Sequence, residues 1–244
     1  MSKIPILSYH NIGRGPAGSQ FKLLYVDQEK FDRQLWTIRR LGLRGVSVGE
    51  GLPRLGSNAK SNLVMLTFDD GYADTLTQAL PLLKKYGFTA TCYLVSDAIG
   101  GHNQWDAEYV AERKPLMSQV DVQHWLASGM EIGAHSRSHP KLEEVDDETA
   151  RDEIIGSREA LRAAFDVSVD HFAYPFGRFT DVTAAIVERA GYLSAVSLLP
   201  GVACATDDRY RLPRIFVDGE RGWLKFFVQV ATPYENRHRH SASA

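Results

Sequence analysis

Residues 62–72 read Asn62-Leu63-Val64-Met65-Leu66-Thr67-Phe68-Asp69-Asp70-Gly71-Tyr72. Apolar and β-prone side chains run unbroken from Leu63 to Phe68, the pattern of a strand buried on both faces. The run ends in two adjacent carboxylates. Burying a carboxylate costs several kcal/mol unless it is paired or metal-bound, so Asp69 and Asp70 at the mouth of such a strand call for partners. Asp-Gly is also a common hairpin turn, but no second strand follows at hairpin distance. Ala73 to Tyr86 has helical spacing instead, with Leu76, Leu80 and Leu83 on one face and Gly87 as a stop. Strand, acidic turn and helix is the layout by which α/β folds present chemistry at the carboxyl edge of a sheet.

Working outward, Ile4 to Tyr9 reads as a first apolar strand ending in His10-Asn11, and Gly13 to Gln20 as a loop. Asp27 caps a helix over Gln28 to Leu41, with Phe31, Leu35 and Ile38 on its apolar face. A short strand is expected near Val46 to Val48, then a loop over Pro53 to Ser61. Thr89 to Val95 is rich in β-formers. Ile99 to Pro115 has no clear period and reads as a long loop of the kind that shapes binding sites. Ser118 caps a helix that Gly129 ends, Met130 to Ala134 is a strand, and Asp147 to Phe165 is a long amphipathic helix. Asp170 to Ala173, Tyr192 to Val196 and Ile215 to Val217 are further strands. Thr180 caps a helix to Ala190, and Trp223 to Val230 is the last one. Strands and helices thus alternate about seven times with no repeat or linker. That pattern predicts one α/β domain over residues 1–232 with a mainly parallel sheet, closed or nearly closed as a barrel. A polar tail over residues 233–244 is expected to be disordered.

The bulk numbers exclude several classes. Charged residues make up 24% of the 244 and hydrophobic ones 44%, which is globular composition. Lys plus Arg is 28 against 30 Asp plus Glu, a net charge of −2, so nucleic acid and anionic membranes are not expected partners. No apolar run approaches the roughly 20 residues of a transmembrane helix. The amino-terminal residues lack the apolar core of a secretory signal, which predicts a cytoplasmic location. Cys92 and Cys204 are the only cysteines, and neither sits in a Cys-x-x-Cys pair that would bind metal or act in redox chemistry.

Two further stretches carry chemistry. His135-Ser136-Arg137-Ser138-His139 directly follows the strand Glu131-Ile132-Gly133-Ala134. Two histidines four apart share one face of a helical turn and suit one metal ion. On their own they read first as two solvated histidines in a polar loop. Ser136 stands where the zincin pattern needs Glu, so a base must come from elsewhere, and Asp69 or Asp70 is the candidate. Two imidazoles and one carboxylate leave a metal position open for water. The second stretch is Phe172-Ala173-Tyr174-Pro175-Phe176-Gly177. Its Pro and Gly fix backbone direction and can aim an amide N–H at a substrate oxygen, although most such segments are plain turns.

Taken together, Thr67-Phe68-Asp69-Asp70-Gly71, His135-Ser136-x-x-His139 and Tyr174-Pro175-Phe176-Gly177 stand in the order and approximate spacing of the polysaccharide deacetylases. The sequence resembles that family, carbohydrate esterase family 4 or the NodB homology domain, over roughly Leu63 to Val217. The resemblance implies a distorted (β/α) barrel of about seven parallel strands, a divalent metal, usually zinc, and hydrolysis of N-acetyl groups on a glycan substrate. Carried over by motif, Asp70, His135 and His139 hold the metal, Asp69 is the general base, and a backbone N–H at Phe176 stabilises the oxyanion.

The departures from the family pattern are specific. Its third motif begins with an arginine, where this chain has Ala173. The late Leu-x-x-His is absent, and Leu212-Pro213-Arg214-Ile215 stands in its place. These losses leave open a domain that binds glycan without catalysis, and the same groups would also serve O-deacetylation or deformylation of an amino sugar. A subset of the family, typified by poly-N-acetylglucosamine deacetylases, uses an early Tyr-His in place of the late histidine. Ser8-Tyr9-His10-Asn11 is similar to it, so His10 is expected to be the general acid and Arg214 to replace the missing arginine beside Asp69. His10 could equally be a hydrogen-bonded loop histidine, and Arg214 a surface charge. Trp105, Tyr174 and His102 are candidates to line the sugar site, since aromatic faces suit pyranose rings. His124, His171, His238 and His240 read as structural or solvated.

Overall fold

The computed structural model describes residues 3–15, 21–57, 61–106 and 113–238. Eight parallel strands carry the architecture: β1 Ile6–Tyr9, β2 Arg44–Val46, β3 Leu63–Phe68, β4 Thr91–Leu94, β5 Glu131–Ala134, β6 His171–Ala173, β7 Ser194–Pro200 and β8 Leu212–Phe216. Their order is β1-β8-β7-β6-β5-β4-β3, and β3 returns to pair with β1, so seven strands close on themselves. β1 and β3 meet from Ile6 opposite Met65 to Tyr9 opposite Phe68. β2 joins only the lower half of β3, from Arg44 opposite Leu63 to Val46 opposite Met65, while β4 pairs with its upper half at Thr67 and Phe68.

Period two divides each strand between two packing zones. On β3, Val64, Leu66 and Phe68 point outward into a cluster with Phe31, Leu35, Leu83 and Trp125 from the surrounding helices. Leu63 and Met65 point inward, with Ile6, Tyr93, Ala173, Val196 and Leu212, and fill the lumen. Both faces are apolar, which is why Leu63 to Phe68 shows no alternation.

The helices are α1 Gln28–Arg40, α2 Val48–Leu55, α3 Leu80–Tyr86, α4 Gln119–Ala127, α5 Asp147–Arg151, α6 Ser157–Phe165, α7 Asp181–Arg189 and α8 Trp223–Ala231. All but α2 pack on the outer face of the barrel, whereas Val48, Leu52 and Leu55 of α2 join the lumen cluster. Their starts follow local chemistry. The Asp27 side chain accepts from Glu29 N–H, and Ser118 with Asp121 forms a capping box. Two π-helical turns interrupt the pattern, Thr75–Ala79 before α3 and Asp152–Gly156 between α5 and α6. No helix among the described residues is long and apolar enough to cross a membrane.

The sequence reading differs from the structure in several places, among them β7, which is Ser194–Pro200 rather than the expected Tyr192 to Val196. α2 occupies part of the expected loop over Pro53 to Ser61, and the preceding strand is Arg44–Val46. Gly49, Gly51 and Pro53 argue against a helix by propensity, but packing decides here. A Cβ on Gly51 would lie 2.6 Å from Met65 Cγ, so only glycine lets α2 sit this close to β3. The last barrel strand is Leu212–Phe216 rather than Ile215–Val217, which brings Arg214 inside it. At the carboxyl end, Tyr234–His238 forms a 3-10 turn whose Glu235 is buried and accepts from Gln229 Nε2 at 2.8 Å. The rest of the expected disordered tail, 239–244, and His240 with it, lies outside the described residues.

Candidate active site

The inward rows of the strands continue past their carboxyl ends into one shared mouth. Ile6 and Ser8 lead to His10, Met65 and Thr67 to Asp69, and Glu131 and Gly133 to His135, each two residues on. Leu212 leads in the same way to Arg214, one strand position below the mouth. Period two therefore gathers residues far apart in sequence.

Asp70 breaks that row. Its φ of 72° is left-handed, and the turn swings its carboxylate toward the histidines. Asp70 Oδ1 lies 3.3 Å from His135 Nε2 and 3.3 Å from His139 Nε2. The three ligand atoms lie within 4.8 Å of one another, and all three residues are buried. His135 Nδ1 lies 2.7 Å from the Ala173 carbonyl. A carbonyl only accepts, so Nδ1 carries a proton, and Nε2 is the nitrogen left to face Asp70 and, once its own proton is lost, to ligate an ion. This is the support usual for a metal-bound imidazole. Residues 135–139 are not the helical turn that the spacing suggested: Ser136 and His139 have φ of 64° and 66°. The pair converges because a strand end and a left-handed loop place it there. A buried carboxylate between two imidazoles, one with its far nitrogen fixed, is a donor set that fits a divalent ion.

Burial works against charge on Asp70, yet the bonds from His135 and His139 hold its carboxyl well below the usual range. Asp69 behaves alike. Burial pushes its carboxyl up, but the Arg214 guanidinium outweighs that and keeps it below the ordinary value. The pairing is a fork: Arg214 Nη1 donates to Asp69 Oδ1 and Nη2 to Oδ2, both at 2.7 Å, with Arg214 itself buried. Arg214 Nε donates to the Ser197 carbonyl at 2.9 Å, and Ser8 Oγ to Asp69 Oδ2 at 3.2 Å. His10 Nε2 lies 4.0 Å from Asp69 Oδ2, its ring edge-on to Phe216.

The Tyr174-Pro175-Phe176-Gly177 segment forms a 3-10 turn closed by Gly177 N–H to Tyr174 C=O and Arg178 N–H to Pro175 C=O. The carbonyl one turn back from Phe176, Ala173, is already engaged by His135. Phe176 has φ of 57° and packs against His139 at 4.7 Å between ring centres. Gly177 is obligatory here, since its φ is 70° and a Cβ would lie 2.6 Å from Leu198 N. Trp105 also stacks on His139, at 4.6 Å between ring centres.

His10, Asp69, Asp70, His135, His139, Trp105 and Phe176 line one cleft of about 610 Å³. Arg214 lies beneath its floor, and Pro175 is buried in the turn. Tyr174 does not face the cleft. Its ring is buried against Phe172 and Phe179 and its hydroxyl donates to the Tyr210 carbonyl at 2.8 Å, so it holds the turn and offers no face to a sugar. His102 is exposed outside the cleft. His171 is buried between Ser194 and Glu131 at the opposite end of the barrel. Sequence reasoning missed Ser8, which the two-residue spacing to His10 could have revealed. It also missed the apolar walls Phe21, Leu23, Leu24, Leu198 and Phe216, which no motif marks.

A family profile described as polysaccharide deacetylase matches residues 56–195. YxkH of Bacillus subtilis (strain 168), named as a candidate polysaccharide deacetylase, is 28% identical over 218 residues, covering 88% of this chain and 72% of its own length. A poly-β-1,6-N-acetyl-D-glucosamine N-deacetylase of Staphylococcus aureus is 22% identical over 229 residues, covering 88% of this chain and 78% of its own. Among solved structures, the Streptococcus pyogenes deacetylase PplD in complex with acetate superposes with a TM-score of 0.80 at 28% identity, covering 95% of this chain and 99% of that one. IcaB from Ammonifex degensii shares the fold, with a TM-score of 0.76 at 20% identity over 94% and 95% of the two chains. With the three motifs converging on one cleft and the family profile spanning more than half its length, the chain belongs to the polysaccharide deacetylase family.

Proposed function

We propose that the chain is a metal-dependent N-deacetylase of an N-acetylhexosamine-containing glycan or sugar conjugate. The observation that carries this reading is the forked Arg214–Asp69 pair beside the Asp70, His135 and His139 donor atoms. A divalent ion held by those three, zinc matching a set of two imidazoles and one carboxylate, supplies polarisation of the acetyl carbonyl and lowers the pKa of water toward ~7.

The chain's own groups do the rest. Asp69, kept anionic and aimed by Arg214, accepts the proton of the attacking water. The Phe176 N–H stabilises the oxyanion as the carbonyl carbon becomes tetrahedral, a contact whose loss typically costs about 10²–10³ in rate. His10 gives a proton to the nitrogen as the C–N bond breaks, so acetate and a free amine leave. Trp105 and Phe176 wall the acetyl position and keep bulk water out.

The Arg214 fork on Asp69, with His10 4.0 Å from the same carboxylate, supports catalysis over a purely glycan-binding domain. The name of the Staphylococcus aureus relative supports an amide of N-acetylglucosamine as substrate. The test is acetate release from a panel of N-acetylhexosamine oligomers, with and without chelator, beside O-acetyl esters and N-formyl sugars. Chelator-sensitive release from the N-acetyl oligomers is expected. Activity indifferent to chelator, or confined to esters, would contradict it.

A further inference from the structure

The loop between the two histidines raises a problem of its own. It holds two left-handed residues, Ser136 and His139, and sits at a buried rim. Its backbone groups must find partners. His135 N–H donates to Leu94 C=O, and His139 N–H to Ser136 Oγ at 3.0 Å. The carbonyls of Ser136 and Arg137 accept from Ser96 and Asp97 N–H. The N–H groups of Arg137 and Ser138, in the middle of the loop, go to one side chain. Glu153 Oε2 accepts from Arg137 N–H at 2.8 Å and from Ser138 N–H at 2.9 Å, while its Oε1 accepts from Ser138 Oγ at 2.6 Å.

Glu153 is buried and lies in the π-helical turn Asp152–Gly156. A π turn adds a residue to a helix and re-aims the side chains on it, and such turns recur at functional sites. On the same turn, Gly156 leaves room for Arg137, whose Cδ would lie 2.9 Å from an added Cβ. The Asp152 bonds to Arg137 Nη1 at 3.0 and 3.1 Å are solvent-exposed and weaker holds.

We infer that Glu153 is the positioning residue of the metal loop: its carboxylate, presented by the π turn, fixes the distance between His135 and His139 and so sets metal affinity. The inference rests on the metal reading of the site. It predicts a division of labour, in which Glu153 affects how tightly the ion is held and Asp69 affects turnover once it is held.

The test is a chelator-competition titration of the full chain with Zn²⁺ alone. Glu153→Ala should weaken binding by about 10–100-fold, the usual loss when support behind a ligand is removed. Glu153→Asp, whose carboxylate stops one methylene short, should weaken it in the same direction. Glu153→Gln keeps an amide oxygen for the two N–H groups and a donor for Ser138 Oγ, so it should remain within about threefold of the parent. Acetate release by Glu153→Ala should recover when Zn²⁺ is raised. Glu131→Gln, at the far end of the same strand as His135, serves as the control that perturbs stability without touching the loop. Folded Glu153→Ala or Glu153→Asp chains that bind Zn²⁺ as tightly as the parent would overturn the inference. So would loss of folding in both, because that would assign Glu153 to the core. A parent chain that binds no Zn²⁺ would instead overturn the metal reading itself.

Discussion

Arg214 and Asp69 are 145 residues apart, and the forked contact between them could not be read from either neighbourhood alone. What the sequence did carry was a mismatch: a family arginine missing at Ala173, and Arg214 at the start of an expected strand as its expected replacement. The barrel resolves it by letting β8 present Arg214 to the same carboxylate. Arg214→Met should therefore do two things. It should destabilise the fold by about 3–5 kcal/mol, the usual result of stranding one member of a buried ion pair, read as a lower urea midpoint. It should also reduce acetate release. Arg214→Lys keeps the charge but loses the planar fork, so it should recover more of the stability than of the turnover. His10 differs, because its ring reaches Asp69 only at 4.0 Å and partly faces the cleft. His10→Gln, a polar replacement for a partly buried ring in contact with Phe216, should lower the unfolding free energy by only about 0.5–1.5 kcal/mol, read from urea melts. It should lower kcat by about 10²–10⁴ if it acts as the acid. A kcat unchanged in His10→Gln would remove that role.

At the scale of elements, strained turns sit where the chemistry is. Among the described residues, five non-glycine positions have left-handed φ, and Asp70, Ser136, His139 and Phe176 are four of them. Each costs of order 1–3 kcal/mol and persists only where the surroundings over-determine it. Such geometry is invisible to periodicity, which is why the His-x-x-x-His spacing read as a helical turn and is not one. The Asp-Asp-Gly turn was legible because its strand is continuous and its glycine obvious. Gly177→Ala should lose stability by at least about 1 kcal/mol from φ alone, and the clash with Leu198 should displace Phe176, lowering activity as well. The opposite end of the barrel carries a separate test. Burial raises the Glu131 carboxyl, but the bonds from His171 and from Gly49 N–H bring it below its model-compound value of 4.5. A carboxyl lowered in the folded state adds stability that is present above the unfolded value and is lost as pH falls through the folded one. The urea midpoint of the parent should thus fall more steeply than that of Glu131→Gln as pH drops below about 4.5, and parallel curves would contradict the pairing.

For the whole molecule, the alternation of strands and helices announced a parallel barrel, and seven strands close it. α2 escaped notice because packing against Met65 overrides poor helix formers. The cleft walls Phe21 and Leu23 escaped because the segment that carries them follows no period, and Leu198 because the expected strand stopped at Val196 while β7 runs on to Pro200. The core clusters lie within and around the barrel, and the site lies at its rim. Removing metal should therefore leave the fold intact. Chelation should keep the far-UV circular dichroism unchanged. Zinc at about 100 times its Kd should add about 2.7 kcal/mol, a rise of several degrees in Tm for a chain of this size.

The most direct test pairs two readings on the same samples, zinc content and acetate release, in the parent chain and in Asp69→Asn. The expected result is one zinc per chain in both, with acetate released by the parent alone. Undiminished acetate release from Asp69→Asn, or a folded parent chain that takes up no zinc, would contradict a metal-assisted deacetylation centred on Asp69.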